Sequence, residues 1–159
     1  MKNTMRRLLG VVSLGLALAF LPFSSYAAIQ YSVTHQTNNV TDIVTQAGGT
    51  AYLLIYTGAQ PAHCATAASG TLLVSMPMSA TIGTVTSGVL TMNAITATAT
   101  GNAGTAGYWR ITTTSGGTTV VAQGSVAVSG ADLNFAGGII WTSGETISIT
   151  SFSITANGS

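Results

Sequence analysis

The sequence predicts an all-β protein, most simply an immunoglobulin-like β-sandwich of about seven to nine short strands with one short N-terminal helix. Two features support this prediction. Glycines recur at short intervals, and the segments between them are rich in Val, Ile, Thr, Tyr and Trp, as in short strands joined by turns. Several of these segments alternate polar and apolar residues, as strands with one buried face do. A jelly roll is the alternative architecture.

The predicted helix occupies residues 38–47. Its apolar residues recur at the i, i+3 and i+4 spacing of one helix face. We expect Asn38 or Asn39 to cap its start and Gly48 to end it. Asp42, near the first turn, suits the helix dipole. Such a helix would lie over one end of the sandwich.

The first strands are predicted from apolar runs. Residues 51–57 are almost continuously apolar, which is typical of a central strand that is buried on both faces. Residues 58–61 read as a turn, and Pro77 ends the following strand. The full set of predicted strands is 51–57, 71–76, 89–93, 95–100, 108–113, 118–123, 133–135, 139–141 and 146–155.

Glycines organise the second half of the chain. Residues 101–107 predict a loop, and Gly116 with Gly117 predicts a hairpin turn. Gly124 marks a bulge through which the next strand continues towards Val128. In 146–155 the apolar alternation slips by one residue, which indicates a bulge or a strand that changes sheets.

The composition excludes two classes of protein. Of 159 residues, 47% are hydrophobic and 4% are charged, and the mean hydropathy is +0.51. A disordered chain would have fewer apolar residues and more net charge. Nucleic-acid binding needs a basic patch to neutralise phosphates, and four Lys and Arg residues cannot build one.

Residues 1–27 have the pattern of a secretory signal peptide. A basic start ends at Arg7, and an apolar run continues from there to Phe23. Ser25 and Ala27 provide the small residues that signal peptidase requires, so we expect cleavage after Ala27. The apolar run is shorter than the roughly 20 residues of a bilayer span, although an uncleaved anchor is the alternative. The protein is therefore expected to be exported to the periplasm, the cell surface or the medium.

The remaining residues, 28–159, are predicted to form a single sandwich domain with almost no charge. Arg110 is its only Lys or Arg, beside Asp42, Asp132 and Glu145. Solitary sandwiches protect their edge strands with lysines, prolines and inward-facing charges. Because this domain has few such residues, we expect self-association or protein partners at its strand edges.

Cys64 is the only cysteine, so the chain cannot form an internal disulfide. A small buried hydrophobic side chain is the simplest interpretation, and an intermolecular bridge or a reactive thiol is the alternative. A metal site formed by His63, Cys64 and either His35 or Asp42 is disfavoured, because adjacent residues rarely ligate one ion.

No motif predicts catalysis, so we expect no enzyme, no cofactor and no metal. The chain has no Gly-x-Ser-x-Gly elbow, and its few acids and bases are scattered. The glycines of 101–107 lack the Lys and the following helix of a phosphate loop.

Tyr108, Trp109 and Trp141 are the candidate binding surface. Neighbouring residues of a strand point to opposite faces, so one of the rings of Tyr108 and Trp109 is expected to point outward. Exposed aromatic rings mark recognition surfaces, and a cell-surface glycan is a candidate ligand.

Three segments resemble small proteins of tailed-phage and prophage structural modules. They are 52–73 (YLLIYTGAQPAHCATAASGTLL), 93–126 (NAITATATGNAGTAGYWRITTTSGGTTVVAQGSV) and 131–158 (ADLNFAGGIIWTSGETISITSFSITANG). The resemblance implies a virion component, such as a decoration or tail-associated protein, and it transfers no functional residue. Relatives of this kind start near Ile29 without a leader, and some carry a second cysteine where this chain has Val120 and Val121.

Two functions follow as expectations. The first is a non-enzymatic, phage-derived structural module that acts in a virion. The alternative is an exported bacterial surface protein with an adhesin-like binding role, which the predicted signal peptide favours.

Overall fold

The computed structural model describes residues 30–156. This part of the chain is mostly β, with several sheets and one α-helix, as expected of a β-sandwich, so the all-β prediction is confirmed at that level. The predicted signal peptide at 1–27 and its cleavage after Ala27 lie outside the described residues.

The described chain contains one α-helix, one 3₁₀ turn and eleven strands. The elements are α1 (Val33–Ala47), the 3₁₀ turn Gly48–Thr50, β1 (Tyr52–Thr57), β2 (Leu72–Pro77), β3 (Gly83–Thr86), β4 (Val89–Met92), β5 (Thr98–Ala99), β6 (Gly104–Thr112), β7 (Val120–Ala127), β8 (Leu133–Asn134), β9 (Ile140–Trp141), β10 (Thr146–Ile147) and β11 (Ser153–Thr155).

The main sheet has the strand order β2-β1-β6-β7-β8, and β9 pairs with the start of β6. Its pairs are antiparallel except β7 with β8, which run parallel. A second sheet has the order β11-β4-β3, and β10 pairs with β5. The apolar strand β1 lies inside the main sheet between β2 and β6, as its sequence predicts.

The core lies on one face of the main sheet. Leu53 and Ile55 of β1 and Trp109 and Ile111 of β6 point into it and are almost fully buried. Leu90 of the second sheet joins the same cluster. Because strand residues alternate between faces, Leu54, Tyr56, Tyr108 and Arg110 point to the other face.

Helix α1 begins five residues earlier than the sequence predicts. Its N-cap is Ser32, whose hydroxyl accepts a hydrogen bond from the His35 backbone N–H at 3.2 Å, and not Asn38 or Asn39. Asp42 consequently lies in the middle of the helix, so the predicted interaction with the helix dipole is wrong. The apolar face and the end of the helix at Gly48, with φ of 64°, are confirmed.

The strand predictions differ from the structure in several places. β3 and its hairpin turn at Ser87 and Gly88 lie largely between the predicted strands 71–76 and 89–93, in a segment rich in Ser, Thr and Gly that predicts no strand. The predicted loop 101–107 is partly strand, because β6 begins at Gly104. The predicted strand 146–155 is split into β10 and β11, which pair with different strands, so the expected change of sheet is confirmed.

None of the helices among residues 30–156 is long and apolar enough to cross a membrane.

Candidate functional site: a buried arginine beside an open cavity

The second face of the main sheet carries the candidate site. Leu54, Tyr56 and Tyr108 form a buried cluster on this face, separate from the main core. Tyr56 and Tyr108 are partners in the β1–β6 register, and their rings stack with centroids 5.2 Å apart and planes 10° apart. Such a face must be covered, because exposing it would leave a large apolar patch in water.

Residues 58–71, which we call the strap, cover this face. The strap leaves β1 and returns as β2, and three of its carbonyl oxygens accept hydrogen bonds from sheet side chains. Gln123 Nε2 donates to the Pro61 carbonyl at 2.7 Å, Arg110 Nη2 to the Thr66 carbonyl at 2.9 Å, and the Tyr108 hydroxyl to the Ser69 carbonyl at 2.5 Å. These bonds fix an otherwise irregular segment on the sheet.

A close backbone approach holds the start of the strap against β6. At Gly107 an added Cβ would overlap the carbonyl oxygen of Gly58. At Gly70, where φ is +75°, an added Cβ would overlap the carbonyl oxygen of Thr57. Glycine is required at both positions because any side chain would push the strap away from the sheet.

Arg110 lies at the centre of the covered face. It is the only Lys or Arg of residues 30–156, it pairs with Leu54 on one side and Gln123 on the other, and 2% of its surface is exposed. Its Cζ lies 5.7 Å from the centroid of the Tyr108 ring. Nε is buried without a hydrogen-bond partner. A guanidinium is always charged in proteins, so the fold contains a buried cation with incomplete hydrogen bonding.

The Asp and Glu side chains of residues 30–156 do not neutralise this cation. Asp132 accepts hydrogen bonds from the Ser125 backbone N–H at 2.8 Å and from its hydroxyl at 2.7 Å. Glu145 accepts from the Thr142 backbone N–H at 2.9 Å. Asp42 is exposed on α1. These three are all the Asp and Glu residues of the sequence.

An open cavity of 650 Å³ lies beside Arg110, between the strap and the β6–β7 hairpin. We call it the Arg110 cavity. Its walls are residues 64–68 of the strap and 116–120 of the hairpin, and Tyr56 contributes to the same lining. No Asp, Glu or His is among its lining residues.

Burial raises the pKa of Tyr56 above its ordinary value of 10.0, the neighbouring Tyr108 raises this pKa further, and Arg110 lowers it. The Tyr56 phenol is therefore protonated at neutral pH.

The predicted aromatic surface is not formed. Tyr108, Trp109 and Trp141 are 0%, 3% and 4% exposed. Tyr108 and Trp109 do point to opposite faces, but the strap covers one face and the core covers the other. The expectation of an outward ring is therefore wrong.

Each of the two tryptophans has a packing role. The Trp109 ring meets the edge of Phe152 at a centroid distance of 5.1 Å. Trp141 meets Phe135 edge-on at 5.0 Å, and its Nε1 donates to the Gly138 carbonyl at 3.3 Å. Both therefore act as core side chains.

The residues of the disfavoured metal site lie on different elements. His35 stacks on Tyr31 at the start of α1, with centroids 4.6 Å apart, whereas exposed His63 and half-buried Cys64 belong to the strap. Residues 30–156 contain no group of three or more His, Cys, Asp or Glu side chains placed to hold a metal ion. Cys64 is a free thiol at the border of the Arg110 cavity, and it is less buried than expected.

The sequence patterns do not predict Arg110 as a site residue. The available signal was a cation in an apolar strand, with aromatic residues before it and Ile111 after it, in a domain without another Lys or Arg. The strap that buries Arg110 brings together residues far apart in the sequence, so no local pattern predicts this burial.

No protein family, curated protein or solved structure was found to match this chain.

Proposed function

We propose that this chain is a non-enzymatic interaction domain that acts as part of a biological surface. The observation that carries the proposal is the environment of Arg110. A buried cation beside an open cavity, with no carboxylate or imidazole in the lining, suits recognition of a partner group. Acid–base and nucleophilic catalysis most often use a carboxylate or an imidazole as the base, and the cavity lining has neither.

The acids and the nucleophile of the described chain also favour binding over catalysis. Asp132 and Glu145 each accept the backbone N–H of a nearby turn or strand residue, so their roles are structural. Cys64 borders the cavity, and no histidine is among the lining residues. A cysteine nucleophile normally needs such a base.

We also propose that the fold is an immunoglobulin-like sandwich. The main sheet and the β11-β4-β3 sheet share a core through residues such as Leu53 and Leu90, which supports it. The parallel β7–β8 pair departs from the antiparallel immunoglobulin pattern. The resemblance of 52–73 and the later segments to tailed-phage structural modules supports a virion-type role.

The strand edges support association with protein partners or with further copies of the chain. The outer edge of β2 is occupied, since Gly101 N–H donates to the Leu73 carbonyl and Asn102 Nδ2 to the Leu72 carbonyl, both at 2.9 Å. The outer edge of β7 is different. Within the described residues, β8 pairs with it only at Val126 and Ala127, and 120–124 carry no charged side chain. An uncharged open edge is a template for an added strand.

The exported surface protein is the second candidate, and the leader-like sequence at 1–27 favours it. A tailed virion assembles in the cytoplasm, whereas cleavage after Ala27 would deliver the domain outside it. The two candidates therefore predict different locations for the same binding domain.

Intact-mass measurement on separated cytoplasmic, periplasmic and medium fractions of a bacterial host distinguishes them. A mass starting at Ala28 outside the cytoplasm supports the exported surface protein, and the chain in purified phage particles supports the virion component. Arg110 is the only tryptic site after residue 27, so peptide mapping needs another protease. A hydrolytic activity that disappears in Asp132→Asn or Glu145→Gln would overturn the non-enzymatic proposal.

A further inference from the structure

We propose that the Arg110 cavity binds the carboxylate of an acidic sugar, with Arg110 as the group that neutralises it. This inference rests on the proposed function as a binding domain and names its ligand. The cavity is the only described place where a buried charge of this chain meets open space.

Arg110 has no counter-ion among residues 30–156. Nη2 donates to a neutral carbonyl at Thr66, and Nε has no described partner. Asp132 and Glu145 accept hydrogen bonds elsewhere, and Asp42 is exposed on α1. A buried charge without an opposite charge is costly, and an anion that enters the cavity removes much of this cost. Binding of an anion therefore stabilises the folded state.

The single cation selects the type of anion. A guanidinium matches the planar, two-oxygen geometry of a carboxylate. Phosphomonoesters carry close to two negative charges and are bound in proteins by clusters of arginines. The Arg110 cavity offers one charge, so a monovalent carboxylate is the better match.

The other residues that line the cavity suit the hydroxyl-rich ring of a sugar. The hydroxyls of Tyr56, Thr66 and Thr119 have no described hydrogen-bond partner, and each of these residues lines the cavity. Methyl groups of Ala65 and Ala68 complete the wall. A volume of 650 Å³ falls in the range of small-molecule sites, so one sugar residue has room beside the guanidinium.

Thermal unfolding and calorimetric titration of the full chain test the proposal with defined probes. The probes are glucuronate and N-acetylneuraminate as acidic sugars, glucose as the neutral sugar, N-acetylglycine as the carboxylate of a peptide end, and inorganic phosphate. We expect saturable stabilisation by an acidic sugar, no shift with glucose, and weaker binding of N-acetylglycine and phosphate. Arg110→Met should weaken acidic-sugar binding by about ten-fold or more, the loss expected for a charge-assisted hydrogen bond.

A second variant keeps the test valid if Arg110→Met folds poorly. Thr119→Val removes an exposed hydroxyl of the hairpin and leaves Arg110 in place, so it should weaken the binding of the acidic sugar and leave the binding of N-acetylglycine unchanged.

Three results would overturn the inference: no stabilisation by any carboxylate, equal binding of the acidic sugar by Arg110→Met and the wild type, or tighter binding of phosphate than of both acidic sugars. Equal binding of N-acetylglycine would overturn the sugar assignment. If these tests fail while the protein is found in virions or on the cell surface, the proposed function stands and only the ligand is wrong.

Discussion

The indole of Trp109 packs directly against the backbone of Gly124 across the β6–β7 pair. The two residues are register partners, and a Cβ added at Gly124 would lie 2.5 Å from Cζ2 of the indole. The absent side chain thus provides the space for the ring. The bulge that the sequence predicts at Gly124 is not there, since the register of β6 and β7 is regular at this residue and shifts instead between Ile111 and Thr112.

Gly124→Ala should lower the free energy of unfolding by about 1–3 kcal/mol, because the added methyl group would displace the buried indole of Trp109. Gly116→Ala is the matched control. Gly116 lies in the hairpin turn, and an added Cβ meets nothing within 4 Å. Urea unfolding monitored by tryptophan fluorescence measures both. Equal stability of the two variants would show that the indole is not confined by Gly124.

Tyr108→Phe tests how the strap is held. The Tyr108 hydroxyl donates a partly buried hydrogen bond to the Ser69 carbonyl, so its removal should cost about 0.5–1.5 kcal/mol. Tyr52→Phe is the control, because Tyr52 lies at the border of the same cluster and its hydroxyl has no described hydrogen bond. Limited proteolysis with a nonspecific protease should cut Tyr108→Phe within 58–71 faster than the wild type, while Tyr52→Phe is cut at the wild-type rate. Unchanged cleavage in Tyr108→Phe would mean that other contacts hold the strap.

Local sequence patterns identified the strands and the helix face, but they did not identify the cover of the sheet. The strand at β1 and the apolar face of α1 follow from periodicity alone, because each depends on neighbouring residues. The burial of Tyr108 and Arg110 depends on the strap, whose Ala, Thr and Ser residues read as an ordinary surface loop. For the same reason, opposite orientations of Tyr108 and Trp109 were predictable, whereas the covering of both faces was not.

Ionisation of Tyr56 should destabilise the protein at alkaline pH. The pKa of Tyr56 is raised mainly by burial, then by Tyr108, while Arg110 lowers it. Above pH 10.0, the ordinary value, the unfolded chain loses this proton before the folded protein does. The unfolded state then binds fewer protons, so the free energy of unfolding falls as the pH rises. Below that pH the contribution is constant.

Tyr56→Phe removes this dependence, so its stability should fall less steeply than that of the wild type above pH 10.0. Urea unfolding at a series of pH values measures both proteins. Below pH 10.0 the difference in the free energy of unfolding between the two proteins should be constant, and this constant difference measures the effect of losing the hydroxyl itself. Parallel curves over the whole range would contradict a raised Tyr56 pKa.

Asp132 fixes the parallel strand β8 beside β7. Its carboxylate accepts both the backbone N–H and the hydroxyl of Ser125, just before β7 pairs with β8 at Val126. Asp132→Ala should therefore lower the free energy of unfolding by about 1–2 kcal/mol, through loss of charge-assisted hydrogen bonds. Asp42→Ala, on the exposed side of α1, should change it by less than about 0.5 kcal/mol. Thermal unfolding of the two variants decides whether Asp132 has this structural role, and equal values would contradict it.

Arg110→Met should make the protein more stable while it loses the proposed ligand. The substitution removes the Nη2 bond to the Thr66 carbonyl, which is worth about 1.5–3 kcal/mol for a charged donor. It also removes a buried cation with an unpartnered Nε, and desolvation of such an ion costs several kcal/mol. Methionine fills a similar volume without charge, so a net gain of about 1–3 kcal/mol is expected in the absence of ligand. Urea unfolding of the ligand-free proteins measures this difference. A lower free energy of unfolding in Arg110→Met would mean that the main role of Arg110 is to hold the strap. A higher value would mean that the wild-type charge destabilises the ligand-free fold, as is common for charged groups in binding sites.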